Sequence, residues 1–348
     1  KHKLSGAQEK LDHFDITTPM DPLIRLDPGQ RRRVSFKVEH GKIGFYAPKS
    51  HRLVPIDHCL LLTPKLDALL LSLAEIFKHC PDLPPKFTLT ALDAANGVDV
   101  LLEGVDFTQL GYETLQSLSE IKAIGLRCLY KSTTELIFEK ETPYLLYAGY
   151  KVPVRAGDFC QVTQETDKFF ERVLCHPELD SGSQLSCPGI LNQVQDDNDG
   201  VQTYSPIKQA DLFAGRGTLS LPMLSSGPVD AFEMEGGAVA TLQKFPVNAI
   251  KRQLFKNPLS TQECNEYDRI VINPPREGAI HQARQLADSA VKQIFYISCN
   301  PASFARDAAI LIKGGYKVNK IFPFDQFIWS NHLELIGMFE KSNDTSLT

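Results

Sequence analysis

The chain has 348 residues, a formal net charge of −5 and 43% hydrophobic residues, enough for two globular domains. No run of about 18 apolar residues occurs, so a membrane-spanning helix is excluded. The acidic balance provides no general surface for polyanions, so any nucleic-acid contact has to come from local Lys and Arg clusters. The eight cysteines form no Cys-x-x-Cys pair and no regular spacing, which points to reduced thiols in a cytoplasmic protein. No signal peptide is visible and the chain begins at Lys1, so it is read as lacking an N-terminal part.

In chain order, residues 1–18 carry a weak helical pattern through Leu4, Leu11 and Phe14, and Pro22, Pro28 and Gly29 then interrupt it. Residues 31–36 and 42–46 read as strands around the Glu39-His40-Gly41 turn, with 53–56 as a third. Arg31, Arg32 and Arg33 form a basic island with Lys37, Lys42, Lys49 and Arg52, either a solvated strand face or a phosphate-contacting surface. Thr63-Pro64 opens a helix on which Leu66, Leu69, Leu70, Leu73, Ile76 and Phe77 keep helical spacing. A strand over 98–102, a helix over 112–124 and strands over 136–138 and 144–147 complete an α+β pattern. From 176 to 202 Gly, Ser, Asp, Asn and Gln dominate and periodicity is lost, as in a disordered insertion.

Beyond it, strands alternate with helices, the pattern of an α/β sheet. A strand over 207–213 runs into Asp211-Leu-Phe213-Ala-Gly215-Arg-Gly217, where glycine lets a ligand approach the backbone. A second strand, 229–235, ends in an acid suited to ribose hydroxyls, either Glu235 or Glu233. A third ends in Asn273-Pro274-Pro275-Arg276. A fourth, 294–297, breaks at Ser298-Cys299-Asn300-Pro301 before a helix over 302–312. Cys299 therefore stands at the carboxyl end of a buried strand, where ligands bind in open α/β sheets, and beside a helix N-terminus that favours thiolate. The plain alternative is a small buried hydrophobe. His332-Leu333-Glu334 opens a last apolar strand, 333–339, in which Glu334 is either one polar residue or a general base.

These four stretches, in this order, resemble the S-adenosylmethionine-dependent RNA uridine-C5 methyltransferases, which make 5-methyluridine in tRNA and ribosomal RNA. The resemblance spans most of the chain, and its specific part is the SCNP segment together with HLE. It implies a Rossmann-like class I methyltransferase domain over 156–348, preceded by a smaller α+β domain over 1–155 that grips RNA. It implies an RNA partner, a cytoplasmic location and a monomer. Asp211, Phe213, Gly215, Gly217, Glu235, Asn273 and Gln161 are then expected around S-adenosylmethionine. Glu235 is preferred because Glu235-Gly-Gly matches the family. Phe159 and Gln161 match the family's Phe-x-Gln element, with Phe159 stacking on the target base. Asn273, Arg276, Arg31, Arg32 and Arg33 are expected to contact the RNA. Cys59 matches one of four cysteines that bind an iron–sulfur cluster in many members. With no cysteine upstream of it in this chain, a cluster is not expected.

The resemblance also implies the chemistry. Addition of the Cys299 thiolate to carbon 6 of uracil makes carbon 5 nucleophilic towards a methyl sulfonium, and Glu334 then removes the carbon 5 proton. The target base has to leave the RNA stack to reach these groups. Two positions depart from the family: Gln253 stands for Asp in its RDLF segment, and Asn273 for the first Asp of its Asp-Pro-Pro-Arg. A neutral amide makes a weaker hydrogen bond than a carboxylate. One competing reading is therefore an impaired homologue that binds RNA or S-adenosylmethionine. Another is an amino-methyltransferase, whose Asn-Pro-Pro motif is typically closed by an aromatic residue; here Arg276 stands there, and such an enzyme has no use for the SCNP thiol.

Overall fold

The computed structural model describes residues 2–175 and 206–342, so the insertion read at 176–202 lies outside the described residues. In chain order the elements are α1 (His2–Asp12), β1 (Ile24–Arg25), β2 (Arg33–Glu39), β3 (Lys42–Tyr46), β4 (Leu53–Pro55), α2 (Pro64–Ile76), β5 (Lys86–Ala94), β6 (Gly97–Glu103), α3 (Tyr112–Ser119), β7 (Gly125–Tyr130), β8 (Thr133–Glu139), β9 (Tyr144–Tyr147), β10 (Tyr150–Pro153) and α4 (Gln164–Cys175). They continue with β11 (Gln209–Leu212), α5 (Ser220–Met223), β12 (Val229–Glu233), α6 (Gly236–Leu242), β13 (Asn248–Lys251), α7 (Thr261–Cys264), β14 (Arg269–Ile272), α8 (Ile280–Ala287), β15 (Gln293–Ser298), α9 (Pro301–Lys313), β16 (Tyr316–Asp325) and β17 (Glu334–Lys341).

Two compact units result. The first comprises the described parts of Lys1–Leu26, Tyr147–Gly149 and Thr166–Thr348; the second comprises Asp27–Leu146 and Tyr150–Glu165. This differs from a division at 155/156. Ala7 and Leu11 of α1 are buried in one hydrophobic cluster with Phe304, Ala308 and Leu311 of α9, so the N-terminal helix belongs to the later α/β unit. Asp158–Val162 in turn belongs to the second unit, because Arg32 donates its backbone N–H to the Val162 carbonyl at 2.8 Å.

The first unit is an α/β fold around an eight-stranded sheet of order β1-β16-β17-β15-β14-β11-β12-β13. β11, β12, β13, β14 and β15 are parallel, and β17 runs antiparallel to β15 and β16. All residues of β11 and β14 are buried, as expected of strands covered on both faces. β16 was not read from the sequence. Pro323 stands inside it and the register shifts between Val318 and Lys320, both of which blur strand periodicity. Asn300 caps α9, accepting the Ala302 N–H, and Pro301 occupies the first turn, where its missing N–H costs nothing.

The second unit is the smaller α+β one. Its seven-stranded sheet has the order β4-β3-β2-β5-β6-β7-β8, antiparallel except between β6 and β7. Leu66, Leu69, Leu70 and Leu73 of α2 are buried in one core with Phe36, Leu89 and Val100. Thr63 stands before α2 but makes no side-chain cap, and α3 ends at Ser119 rather than 124. β5 and β7 escaped the sequence reading, although Asn96-Gly97 signals the hairpin between β5 and β6. Cys59, Cys80, Cys128, Cys160, Cys264 and Cys299 are free thiols. Among the described residues no helix is long and apolar enough to cross a membrane.

Asp307 of α9 ties the loop after β14 to the sheet. Its fully buried carboxylate accepts the Tyr296 O–H at 2.5 Å, the Ala279 N–H at 2.8 Å and the Arg306 Nε–H at 2.7 Å. Removing it leaves the buried Tyr296 O–H unpaired and the Ala279 N–H with only its 3.1 Å bond to the Tyr296 oxygen. Asp307→Ala is therefore expected to lower unfolding free energy by about 2–4 kcal/mol, measured by denaturant titration. A loss under about 1 kcal/mol would show the network to be dispensable.

Candidate active site at the carboxyl edge of the sheet

Strand register assembles the site. Leu212 pairs with both Phe232 and Ile272, Ile272 pairs with Tyr296, and Ser298 pairs with Leu335. The residues one step beyond these pairs therefore share one edge: Phe213, Glu233, Asn273, Cys299 and, on the antiparallel neighbour, Glu334. The sequence placed Cys299 at a strand end correctly; only the β15–β17 pairing places Glu334 beside it.

Glu334 is 3% exposed, and burial pushes its carboxyl up to about 7. Gln326 opposes that shift, donating from Nε2 to Glu334 Oε2 at 2.6 Å. The Thr166 hydroxyl donates to Gln326 Oε1 at 2.9 Å, which orients the amide so that its NH2 meets Glu334. Gln326 and Thr166 were missed from sequence; the available signal was the polar pair Asp325-Gln326 closing the apolar run Ile321–Phe324. Cys299 is partly buried. Burial and then the Glu334 charge push its thiol above the ordinary value, with Arg276 opposing. The expected thiolate is thus corrected to a thiol at rest, because burial and a carboxylate neighbour outweigh the helix end. Arg276 is exposed, its Nη2 lies 3.5 Å from His332 Nδ1, and its carbonyl accepts Asn300 Nδ2–H at 3.0 Å, joining the two loops.

The glycine turn lies further along the edge. Asp211 is fully buried; its Oδ2 accepts the Ser220 hydroxyl at 2.5 Å and its Oδ1 has no partner. Burial, and less so Glu233, pushes it up to about 7. Gly215 has φ +54 and a Cβ there would meet nothing within 4 Å, so its outer side is open. Gly217 has φ +92 and a Cβ would come within 2.7 Å of Leu242 Cδ2, so that glycine serves packing of α6. Phe213 has φ +64 and its ring lies 5.2 Å from that of Phe255. Asn273 is partly buried and its N–H donates to the Leu212 carbonyl at 3.2 Å.

The strand-end acid is Glu233 rather than Glu235. Glu233 Oε2 accepts the Gly215 N–H at 2.9 Å, facing the glycine turn. Glu235 lies two residues beyond the strand and caps α6, its two oxygens accepting the Gly237 and Ala238 N–H groups, each at 2.6 Å. The Glu-Gly-Gly motif points to Glu235, but a helix N-terminus claims that carboxylate.

The remaining expected residues lie in the second unit. Phe159 is 65% exposed, with the Arg33 guanidinium 5.9 Å from its ring centroid. Gln161 is buried and its carbonyl accepts Arg32 Nε–H at 3.0 Å. Arg32 is thereby removed from the basic island: it is 5% exposed, because side chains alternate along this segment and Arg31 and Arg33 face the other way. Arg31, Arg33, Phe45, Cys59 and Val162 line a cavity of about 450 Å³. Cys59 is a single thiol there, and among the described residues no three His, Cys, Asp or Glu side chains converge to hold a metal.

The charge coupling at the edge is testable. Glu334→Gln removes the negative neighbour of Cys299, so its alkylation by iodoacetamide at pH 8, followed by peptide mass mapping, should accelerate by about fivefold or more. Arg276→Met should slow it. An unchanged rate in both variants would show that these charges do not reach the sulfur.

Residues 249–342, which carry this edge from β13 to β17, match the family model described as tRNA (uracil-5-)-methyltransferase. Over 344 residues the chain is 33% identical to an uncharacterized RNA methyltransferase of Agrobacterium fabrum, covering 94% of this chain and 75% of that protein. Over 343 residues it is 26% identical to the 23S rRNA (uracil(1939)-C(5))-methyltransferase of Vibrio vulnificus, covering 92% and 72%. The fold matches the Pyrococcus abyssi tRNA (uracil-54, C5)-methyltransferase, solved with S-adenosyl-L-homocysteine, at a TM-score of 0.70 and 17% identity over 97% of this chain and 83% of that one. With a thiol, a buried carboxylate and a glycine turn along one edge of a Rossmann-like sheet, the chain belongs to the RNA (uracil-C5) methyltransferase family.

Proposed function

We propose that the protein transfers a methyl group from S-adenosylmethionine to carbon 5 of a uridine in tRNA or ribosomal RNA, with Cys299 as nucleophile and Glu334 as base. The observation that carries this reading is the juxtaposition of a thiol and a buried carboxylate at neighbouring strand ends. The family places the substrate among RNAs, and the protein is read as a cytoplasmic monomer.

The residues at the glycine turn fit the cofactor. The open side of Gly215, the unpartnered Asp211 Oδ1 and the strand-end Glu233 offer space, an acceptor and a site for two ribose hydroxyls. Phe213 and Phe255 offer apolar contact, and Asn273 a further polar one. When bound, S-adenosylmethionine supplies an electrophilic methyl group.

Cys299, its proton passed to solvent, forms a bond to carbon 6, and the carbon 5–carbon 6 π pair moves onto carbon 5 and the adjoining carbonyl. Carbon 5 gains the methyl group and still holds its proton. Glu334 takes that proton, the released pair restores the double bond, and the sulfur leaves as thiolate. A carboxyl near 7 suits this proton transfer, being ionised at working pH yet basic enough to accept. Asn273 is assigned to accept from the flipped base and Arg276 to contact the RNA; on the second unit, Phe159, Arg31 and Arg33 are assigned to RNA contact.

RNA carrying 5-fluorouridine tests the mechanism, since fluorine at carbon 5 is not a removable proton. A denaturing gel should show a covalent complex that depends on S-adenosylmethionine and disappears in Cys299→Ala. With unmodified RNA, Glu334→Gln should accumulate the adduct that wild type resolves. No adduct, with cofactor binding intact by calorimetry, would favour an RNA- or cofactor-binding homologue without turnover, a reading motivated by the neutral Asn273 and Gln253.

Turnover should rise with pH through about 7, as Glu334 ionises. Gln326→Leu removes the donor that favours the ionised form, so this limb should move alkaline by about one unit or more. An unmoved limb in a pH–rate profile would take Glu334 out of the base role or Gln326 out of its positioning role.

A further inference from the structure

We propose that Trp329 is a stacking platform for an unpaired nucleobase adjacent to the target uridine, a subsite that rests on the RNA-methylating reading above. Phe324 pairs with Glu334, so the segment joining β16 to β17 stands at the same edge as Cys299 and Glu334. Trp329 lies on it, is 64% exposed and is the sole tryptophan of the chain.

Exposure of one large apolar side chain is ordinary. The backbone is not. Trp329 has φ +61, a conformation bulky L residues rarely adopt. It takes the third position of a turn closed by the Ser330 N–H on the Phe327 carbonyl at 3.1 Å, a place usually given to Gly or Asn. The turn is held firmly. The same carbonyl accepts Lys3 Nζ at 2.9 Å and the Ser330 hydroxyl at 2.8 Å, the next N–H but one, of His332, donates to Ser330 Oγ at 3.2 Å, and Ile328 is buried. Strain held in place by surrounding contacts, with the ring directed to solvent, adds nothing to folding and is the pattern of a functional contact.

The chemistry beside it selects the occupant. His332 packs edge-on to Phe327 with ring centroids 5.8 Å apart and lies next to the exposed Arg276, so the connection that carries Trp329 also meets a cation at this edge. An aromatic face with a neighbouring cation fits a base and its phosphate, and stacking tolerates any base. Extruding the target uridine unstacks its neighbour as well, and that base needs a new surface.

The sole tryptophan makes the test direct. Total tRNA and total ribosomal RNA are titrated into the full chain while its indole emission and filter binding are followed. Saturable quenching is expected with the RNA that is trapped as a 5-fluorouridine adduct. Trp329→Ala should weaken binding by about 5- to 100-fold and raise KM more than it lowers kcat, while Trp329→Phe should retain most of the affinity. Unchanged emission on RNA that binds and is trapped, or wild-type affinity in Trp329→Ala, would overturn the proposal. So would a self-associated species in sedimentation that Trp329→Ala dissolves, since the indole would then serve an interface. Absence of any covalent adduct, with quenching and the Trp329→Ala loss intact, would sink the Cys299 mechanism and still support the stacking subsite.

Discussion

The chemistry of this protein depends on a strand pairing. Ser298 opposes Leu335, and one residue beyond that pair two side chains that are incompatible as neighbouring buried charges are forced together. A thiol and a carboxylate in a dry, crowded edge disfavour simultaneous ionisation, so the carboxylate raises the proton affinity of the thiol. Elsewhere in a protein such a pair would simply be costly. In the proposed mechanism the substrate consumes the thiolate first and offers a proton afterwards, so the same tension would be useful: the two charges are required in sequence rather than together.

The supporting structure is largely devoted to keeping that edge in order. α9 begins with Asn300 capping its own first turn and donating to the Arg276 carbonyl, which ties the loop after β15 to the loop after β14. Asp307 anchors the other side of the same loop through Tyr296 and Ala279. Thr166 and Gln326 commit one amide orientation to Glu334. Apart from the exposed Asn300 contacts, these are buried polar contacts, which specify geometry more than they add stability. At the glycine turn, Gly215 and Gly217 look equivalent as letters, yet one keeps space open and the other avoids a clash with α6.

Much was legible in the chain. The run of β-branched and aromatic residues before SCNP had to be a buried strand, and the break at Asn-Pro had to start a helix. The α/β class followed from alternation of strands and helices. Other features were hidden for identifiable reasons. β16 carries a proline and a register shift, so its periodicity failed. Arg32 looked like one member of a basic triplet, but strand alternation turned it inward. Glu235 had the better motif match and Glu233 the better position, because a helix end competes for any acid that reaches it.

By itself the sequence determined which chemical groups exist and which strand ends they sit on, since hydrophobic periodicity and turn residues are local properties. Only the tertiary structure decided which groups meet. The antiparallel placement of β17 between β15 and β16 puts Glu334 beside Cys299, a contact 35 positions apart in the chain (334 − 299) that no local pattern encodes. Burial likewise set the protonation of both groups, because desolvation depends on what surrounds a side chain in space.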